Sequence, residues 1–293
     1  MFSGTLVAIV TPMRPDGSVD FDAWAQLIEW HASCGTSGIV VGGTTGESAT
    51  LTAAELRELC AAACARAAGR LVVLGGAGTS STAGTVERVR ALQGVALDGL
   101  LVVTPAYNRP SQEGLYRHFA AVAAAAPGVP LVLYNVPART AVDMKPATVA
   151  RLSRLPGICG LKEAVPDIAR IRELTGACPT GFAVLSGDDA TAREALLAGA
   201  RGVISVTANV APRAMSQMVS AALAGEAERA AVLDAPLAAL HRDLFLEANP
   251  IPVKWLLERM GRIQGGLRLP LTPLAEEYHA AVLAAARAAG IGV

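Results

Sequence analysis

The sequence predicts an α/β protein, a (β/α)8 barrel followed by a C-terminal helical appendage. Three observations predict it: short β-branched runs recur along the chain, each is followed by a longer alanine-rich stretch, and the runs number eight. They are near-continuously apolar rather than alternating, as strands buried on both faces are. Strands that alternate with helices build a parallel sheet, and eight of them close a barrel. An open doubly wound sheet would carry a glycine fingerprint after its first strand, but here that strand runs into Thr11-Pro12-Met13.

Taken in order, strands are expected at Thr5–Thr11, Gly38–Val41, Leu71–Leu74, Gly99–Val103, Leu131–Tyr134, Ile158–Lys162, Phe182–Ser186 and Gly202–Val206. Helices are expected between them at Phe21–Ser33, Ala53–Ala68, Thr82–Leu92, Gln112–Ala126, Pro146–Leu155, Ile168–Gly176 and Ala190–Ala198. Thr52 with Glu55 three residues on forms a capping-box pattern, and Pro146 suits a first helical position. Beyond the eighth strand the pattern stays helical, at Ala211–Ala224, Glu226–Leu246, Pro252–Met260 and Pro273–Ala289. The expected division is a catalytic barrel over residues 1–224 and a helical domain over 225–293. No charged or low-complexity linker separates them, so the appendage is expected to pack on the barrel.

With 52% hydrophobic and 17% charged residues, the 293-residue chain can bury a large core. Its net charge of zero excludes a nucleic-acid binder that works through bulk positive charge, and 4% aromatics leave few stacking platforms for single strands. Mean hydropathy is +0.42, but alanine supplies most of it. The longest apolar stretch, Phe119 to Val136, is broken by Pro127, Gly128 and Pro130, so no membrane span is expected. Met1 to Pro12 lacks the pattern of a secretory signal. The five cysteines (Cys34, Cys60, Cys64, Cys159, Cys178) include no C-x-x-C and are expected as free thiols in a reducing cytoplasm.

In such a barrel, function is built at the carboxyl ends of the strands. Those ends carry Thr44-Thr45-Gly46-Glu47, Tyr107-Asn108-Arg109, Tyr134-Asn135 with Arg139, Lys162-Glu163, Gly187-Asp188-Asp189 and Thr207-Ala208-Asn209. Lysine is the informative type, because only three of the 25 basic residues are lysine (Lys145, Lys162, Lys254). Lys145 in a polar loop and Lys254 in a late helix are expected to be solvated. Lys162 closes the apolar run Ile158–Leu161, where a charged ammonium is costly unless paired and a neutral amine attacks carbonyls. A structural ion pair with Glu163 or Asp188 is the competing account. Tyr107 and Tyr134, at strand ends, suit proton transfer to an imine or carbinolamine oxygen, or else fill space with a satisfied hydroxyl. Thr44 could relay protons, and Thr45 with the Gly46 amide could hold a carboxylate. Arg139 could clamp a second carboxylate bidentately, or be one more surface arginine. The four histidines (His31, His118, His241, His279) fall on expected helices away from the strand ends, so neither a metal site nor a serine–histidine pair is expected. No cofactor is implied.

At these residues the chain resembles the dihydrodipicolinate synthase branch of the pyruvate-dependent class I aldolase superfamily, whose fold is a TIM barrel. The matching segments are Val7–Met13, Gly43–Leu51, Tyr107–Tyr116, Tyr134–Pro137 with Arg139-Thr140, Gly160–Ala164, Leu185–Asp189, Gly202–Asn209 and Asn249–Lys254. They run through nearly the whole chain.

The resemblance implies that Lys162 forms a Schiff base with pyruvate. Tyr134 is then proton donor and acceptor, in a relay with Thr44 and with Tyr107 of a neighbouring subunit. Thr45 and the backbone around Ile204 hold the pyruvate carboxylate, and Gly187 lines the pocket. Arg139 binds the carboxylate of L-aspartate 4-semialdehyde. The implied assembly is a homotetramer without cofactor or metal. Relatives that cleave N-acetylneuraminate or other 2-keto acids usually carry Ser for Thr44 and lack the arginine, and a keto-acid-binding barrel without catalysis would have a damaged relay. Both features are intact here. One departure concerns members inhibited by lysine, which carry polar residues where this chain has Ala53, Leu56, Ser80, Gly84 and Ala106. Lysine inhibition is therefore not expected.

Overall fold

In a computed structural model, which describes residues 2–293, eight parallel strands close a barrel in chain order. They are β1 (Gly4–Ala8), β2 (Gly38–Val41), β3 (Val72–Gly76), β4 (Gly99–Val103), β5 (Leu131–Asn135), β6 (Ile158–Glu163), β7 (Ala183–Ser186) and β8 (Gly202–Ser205). The ring closes where Leu6 of β1 registers with Ile204 of β8. Alternate residues of each strand face inward, so Leu6, Val40, Leu74, Leu101, Val132, Leu185 and Ile204 fill the lumen, and Phe2 packs among them. The intervening residues, such as Val7, Ile39, Val73, Val102, Leu133, Leu161 and Val203, pack outward under the helices. Both faces are thus apolar, which is why the runs read as continuous.

The surrounding helices are α1 (Phe21–Ser33), α2 (Ala53–Ala67), α3 (Thr82–Ala91), α4 (Gln112–Ala125), α5 (Pro137–Thr140), α6 (Pro146–Leu152), α7 (Ile168–Ala177), α8 (Ala192–Leu197) and α9 (Pro212–Leu223). Thr52 and Glu55 make the expected reciprocal capping box at the start of α2. The C-terminal helices are α10 (Ala227–Asp234), α11 (Ala238–Asp243), α12 (Ile251–Arg259) and α13 (Glu276–Ala288). α10 packs on α9, and α12 on a 3-10 turn (Thr207–Asn209) that follows β8.

Several expectations are corrected. β1 ends at Ala8 rather than Thr11, because Val10 leaves the ladder and donates its N–H to the Asn209 side chain. β3 runs on through Gly75 and Gly76, past the expected end at Leu74. A Cβ on Gly76 would lie 2.1 Å from the carbonyl oxygen of Gly42, so only glycine permits this approach of β2 and β3. The single helix expected over Glu226–Leu246 is broken by a 3-10 turn at Ala235–Leu237, where Pro236 has no N–H to continue the ladder. The four-residue α5, which carries Arg139, was not anticipated. Lys254 is not solvated but 1% exposed. His241 on α11 is not remote from the strand ends: its Nδ1 lies 2.9 Å from the Thr207 hydroxyl, just beyond β8.

No helix is long and apolar enough to cross a membrane among the described residues. Nor do three or more His, Cys, Asp or Glu side chains there converge as metal ligands.

Candidate active site

Lys162 and Tyr134 are partners in register on β6 and β5. Both have inward parity, so the amine and the phenol meet inside the barrel near its carboxyl end. Lys162 is 5% exposed, and its Nζ stands 4.4 Å from the Tyr134 ring centroid. Among the described residues no carboxylate is placed to pair with it.

The reason is the parity of β6. Glu163 points the opposite way, out under the helices, where Arg170 of α7 donates to it at 2.8 Å and Asn135 at 3.0 Å. Arg170 also grips Asp143, and Asn135 bridges Glu163 and Asp143. The rung next to Tyr134–Lys162, namely Asn135–Glu163, is therefore clasped from outside. Burial pushes the Glu163 carboxyl above its usual range despite the guanidinium beside it.

Gly187 borders the amine. Its N–H bonds to the Glu163 carbonyl at 2.7 Å. A Cβ there would sit 2.9 Å from Lys162 Cε and 3.0 Å from the Ala164 Cβ. The following Asp189 accepts from the Val206 and Thr207 amides, both at 2.8 Å, which fixes the backbone just after Ile204. His241 supports this turn through Thr207 and contacts Asp234 with Nε2. Burial lowers its pKa, but the Asp234 bond and the nearby Asp189 and Asp188 charges outweigh that and raise it.

Thr44 lines two adjoining cavities, one with Tyr134, Val103 and Ser48, the other with Arg139 and Asn249. The second has a volume of about 180 Å³. Thr45 is buried, and its hydroxyl receives the Asn249 side-chain amide at 2.9 Å. The Asn249 carbonyl in turn accepts from Arg139 at 3.2 Å.

Lys162, Tyr134, Thr44, Thr45, Gly187, Ile204 and Arg139 thus converge on one end of the barrel. Tyr107 does not join them within the single chain. It is 92% exposed, with a φ of 77°, a left-handed backbone unusual for an aromatic residue. Sequence reasoning assigned no role to Asn249, Glu47 or Lys254. The rarity of lysine that singled out Lys162 applied equally to Lys254 and would have found it.

The fold and the enclosed lysine define a (β/α)8 barrel with a reactive-amine candidate at its carboxyl end. Residues 1–289 match the Dihydrodipicolinate synthetase family, and the chain belongs to it. It is 54% identical over 291 residues, 99% of each chain, to a 4-hydroxy-tetrahydrodipicolinate synthase of Azoarcus sp. (strain BH72). A relative of that name from Laribacter hongkongensis is 52% identical over 99% of this chain and all of its own. Among solved structures, the chloride-inhibited dihydrodipicolinate synthase of Acinetobacter baumannii complexed with pyruvate superposes with a TM-score of 0.97, at 46% identity and full coverage of both chains.

Proposed function

We propose that the chain is a Schiff-base-forming lyase, a 4-hydroxy-tetrahydrodipicolinate synthase, which condenses pyruvate with L-aspartate 4-semialdehyde in the diaminopimelate route to lysine. One observation carries the reading: Lys162 is enclosed in an apolar barrel against the ring of Tyr134, with no pairing carboxylate among the described residues. A primary amine held there, with its Nζ beside a phenol that can carry protons, is placed to attack a carbonyl carbon.

In the proposed sequence Lys162 Nζ adds to C2 of pyruvate, and the carbinolamine loses water to leave an imine. Loss of a C3 proton gives the enamine, whose C3 bonds to the aldehyde carbon of the semialdehyde as the aldehyde oxygen takes up a proton. The substrate amine then adds to C2 and the C2–Nζ bond breaks, freeing Lys162. Tyr134 shuttles these protons through Thr44. The Thr45 hydroxyl and the backbone around Ile204 hold the pyruvate carboxylate, while Arg139, on α5 at the mouth, takes that of the semialdehyde. Tyr107 is proposed to enter the relay of a neighbouring subunit in a homotetramer. The exposed, left-handed aromatic supports this, since such a ring gains from being covered. A cytoplasmic location accords with five free cysteines among the described residues.

The test is turnover of pyruvate with L-aspartate 4-semialdehyde, coupled to the following reductase and read as NADPH oxidation, beside an N-acetylneuraminate cleavage assay. Turnover with the semialdehyde alone is expected. Cleavage of the sugar acid instead would keep Lys162 and Tyr134 but overturn the role given to Arg139.

Two predictions arise here. Gly187→Ala is expected to slow borohydride-trapped adduct formation with pyruvate by about tenfold or more, because the added methyl displaces the reactive amine. Wild-type trapping by this variant would show that the lysine tolerates the shift. L-Lysine is expected to leave the steady-state rate unchanged. Leu56 is core, Gly84 is tied to Ser81 and the Ser80 carbonyl to Asn108, so no carboxylate among Ala53, Leu56, Ser80, Gly84 and Ala106 is available to pair with an amine effector. Inhibition at sub-millimolar lysine would contradict this.

A further inference from the structure

We propose that Lys254 is a positioning residue for the reaction, which holds the Thr44–Thr45 turn in its binding geometry from the C-terminal helix α12 through an ion pair with Glu47. The inference rests on the function proposed above.

Lys254 Nζ bonds to a Glu47 oxygen and, at 2.9 Å, to the Thr11 carbonyl beyond β1. The other Glu47 oxygen accepts from the Arg268 amide at 3.2 Å. Both side chains are wholly enclosed. Glu47 is three residues from Thr44, and its own N–H closes the turn on the Thr44 carbonyl at 3.1 Å. Its φ of 57° is left-handed, a conformation that a non-glycine residue keeps only when its surroundings enforce it. The turn has little slack elsewhere. The Thr11 hydroxyl bonds to the Gly46 carbonyl, and a Cβ on Gly46 would meet backbone of Gly42 and Ile9 at 3.1 Å. The segment leading into α12 grips the same turn a second time, through Asn249 on Thr45.

A buried ion pair is a poor device for stability, since an apolar pair of similar volume often serves as well or better. The fold alone gives no reason to enclose this one. Its geometry supplies a reason: a directional, two-ended tether from α12 to the turn that carries both the relay hydroxyl and the carboxylate site. Apolar side chains could fill the same space but could not fix the turn's rotation. Burial pushes the Lys254 pKa down while Glu47 opposes the shift, and the bonds of Nζ to Glu47 and to the Thr11 carbonyl keep the amine engaged in the tether.

The test uses Lys254→Met, Glu47→Gln and the double variant of the full chain. Thermal unfolding and the pyruvate concentration that half-saturates borohydride trapping at Lys162 are the readouts. Each single variant strands a buried partner and is expected to unfold at lower temperature. The double variant, which strands no charge, is expected to recover the wild-type midpoint, yet still need about tenfold more pyruvate because the turn is untethered. A double variant that recovers both readouts overturns the positioning role and leaves the proposed function standing. A wild-type chain that traps no pyruvate overturns both.

Discussion

Lys162→Ala is expected to lose all pyruvate adduct after borohydride treatment and at least about 10⁴-fold in kcat/KM, the scale on which removing a covalent nucleophile acts. The other two lysines cannot substitute. Lys145 is exposed and paired with Asp143, and Lys254 is locked onto Glu47 and the Thr11 carbonyl. The variant should fold about as well as the wild type, because the side chain removed is a polar one from an apolar lumen, where no carboxylate among the described residues compensates its burial. Mass spectrometry after trapping decides the matter: a persisting adduct means that the reactive amine was misassigned. An absent adduct with an unchanged unfolding midpoint separates lost chemistry from lost structure.

How much of this was legible in the sequence follows from the kind of signal each feature leaves. Continuous apolar runs mark barrel strands because both faces are covered, and all eight are found, β2 and β4 with the expected bounds and the rest with ends displaced by one to three residues. Lys162 was legible because a lone charge closing an apolar strand is a local contradiction. Tyr134 was legible through its place at a strand end. What was hidden is non-local. Lys254 read as a surface lysine because Glu47, its partner, lies 207 residues away, and no periodicity reports such a contact. Asn249 was equally mute, although it links Thr45 to Arg139. The third strand was expected to stop at Leu74 because glycine is a weak strand former, whereas the close passage of the chain leaving β2 demands glycine in the strand at Gly76. The helix α5 escaped because four residues carry no period.

The outward clasp on β6 leads to the second large effect, in which Arg170→Met is expected to cost about 3–5 kcal/mol of stability near pH 8. Glu163 has no exposed side-chain surface, and Arg170 is its only cationic partner among the described residues. Without the guanidinium, a buried carboxylate keeps only the Asn135 amide and the Val165 N–H. Its pKa, already raised by burial, rises further. A carboxyl with a raised folded pKa is bound to its proton in the native state while the unfolded chain has released it. Its contribution is therefore fully present below the unfolded glutamate pKa of about 4.3 and is lost as pH rises through the folded value. Urea unfolding of Arg170→Met should thus show a stability deficit that widens from pH 5 to pH 8. The double variant Glu163→Gln/Arg170→Met should remove most of that pH dependence, since the wholly buried carboxyl is gone and the part-exposed Asp143 is the carboxyl left in the clasp. Parallel deficits at both pH values would show that lost packing rather than a stranded charge is responsible. The clasp also bears on chemistry, because the Asn135–Glu163 rung adjoins Tyr134–Lys162. Arg170→Met should still trap pyruvate, yet turn over more slowly as the distance between amine and phenol loosens. Such a result would mean that an interaction on the outer face of the barrel governs the alignment of two groups on its inner face.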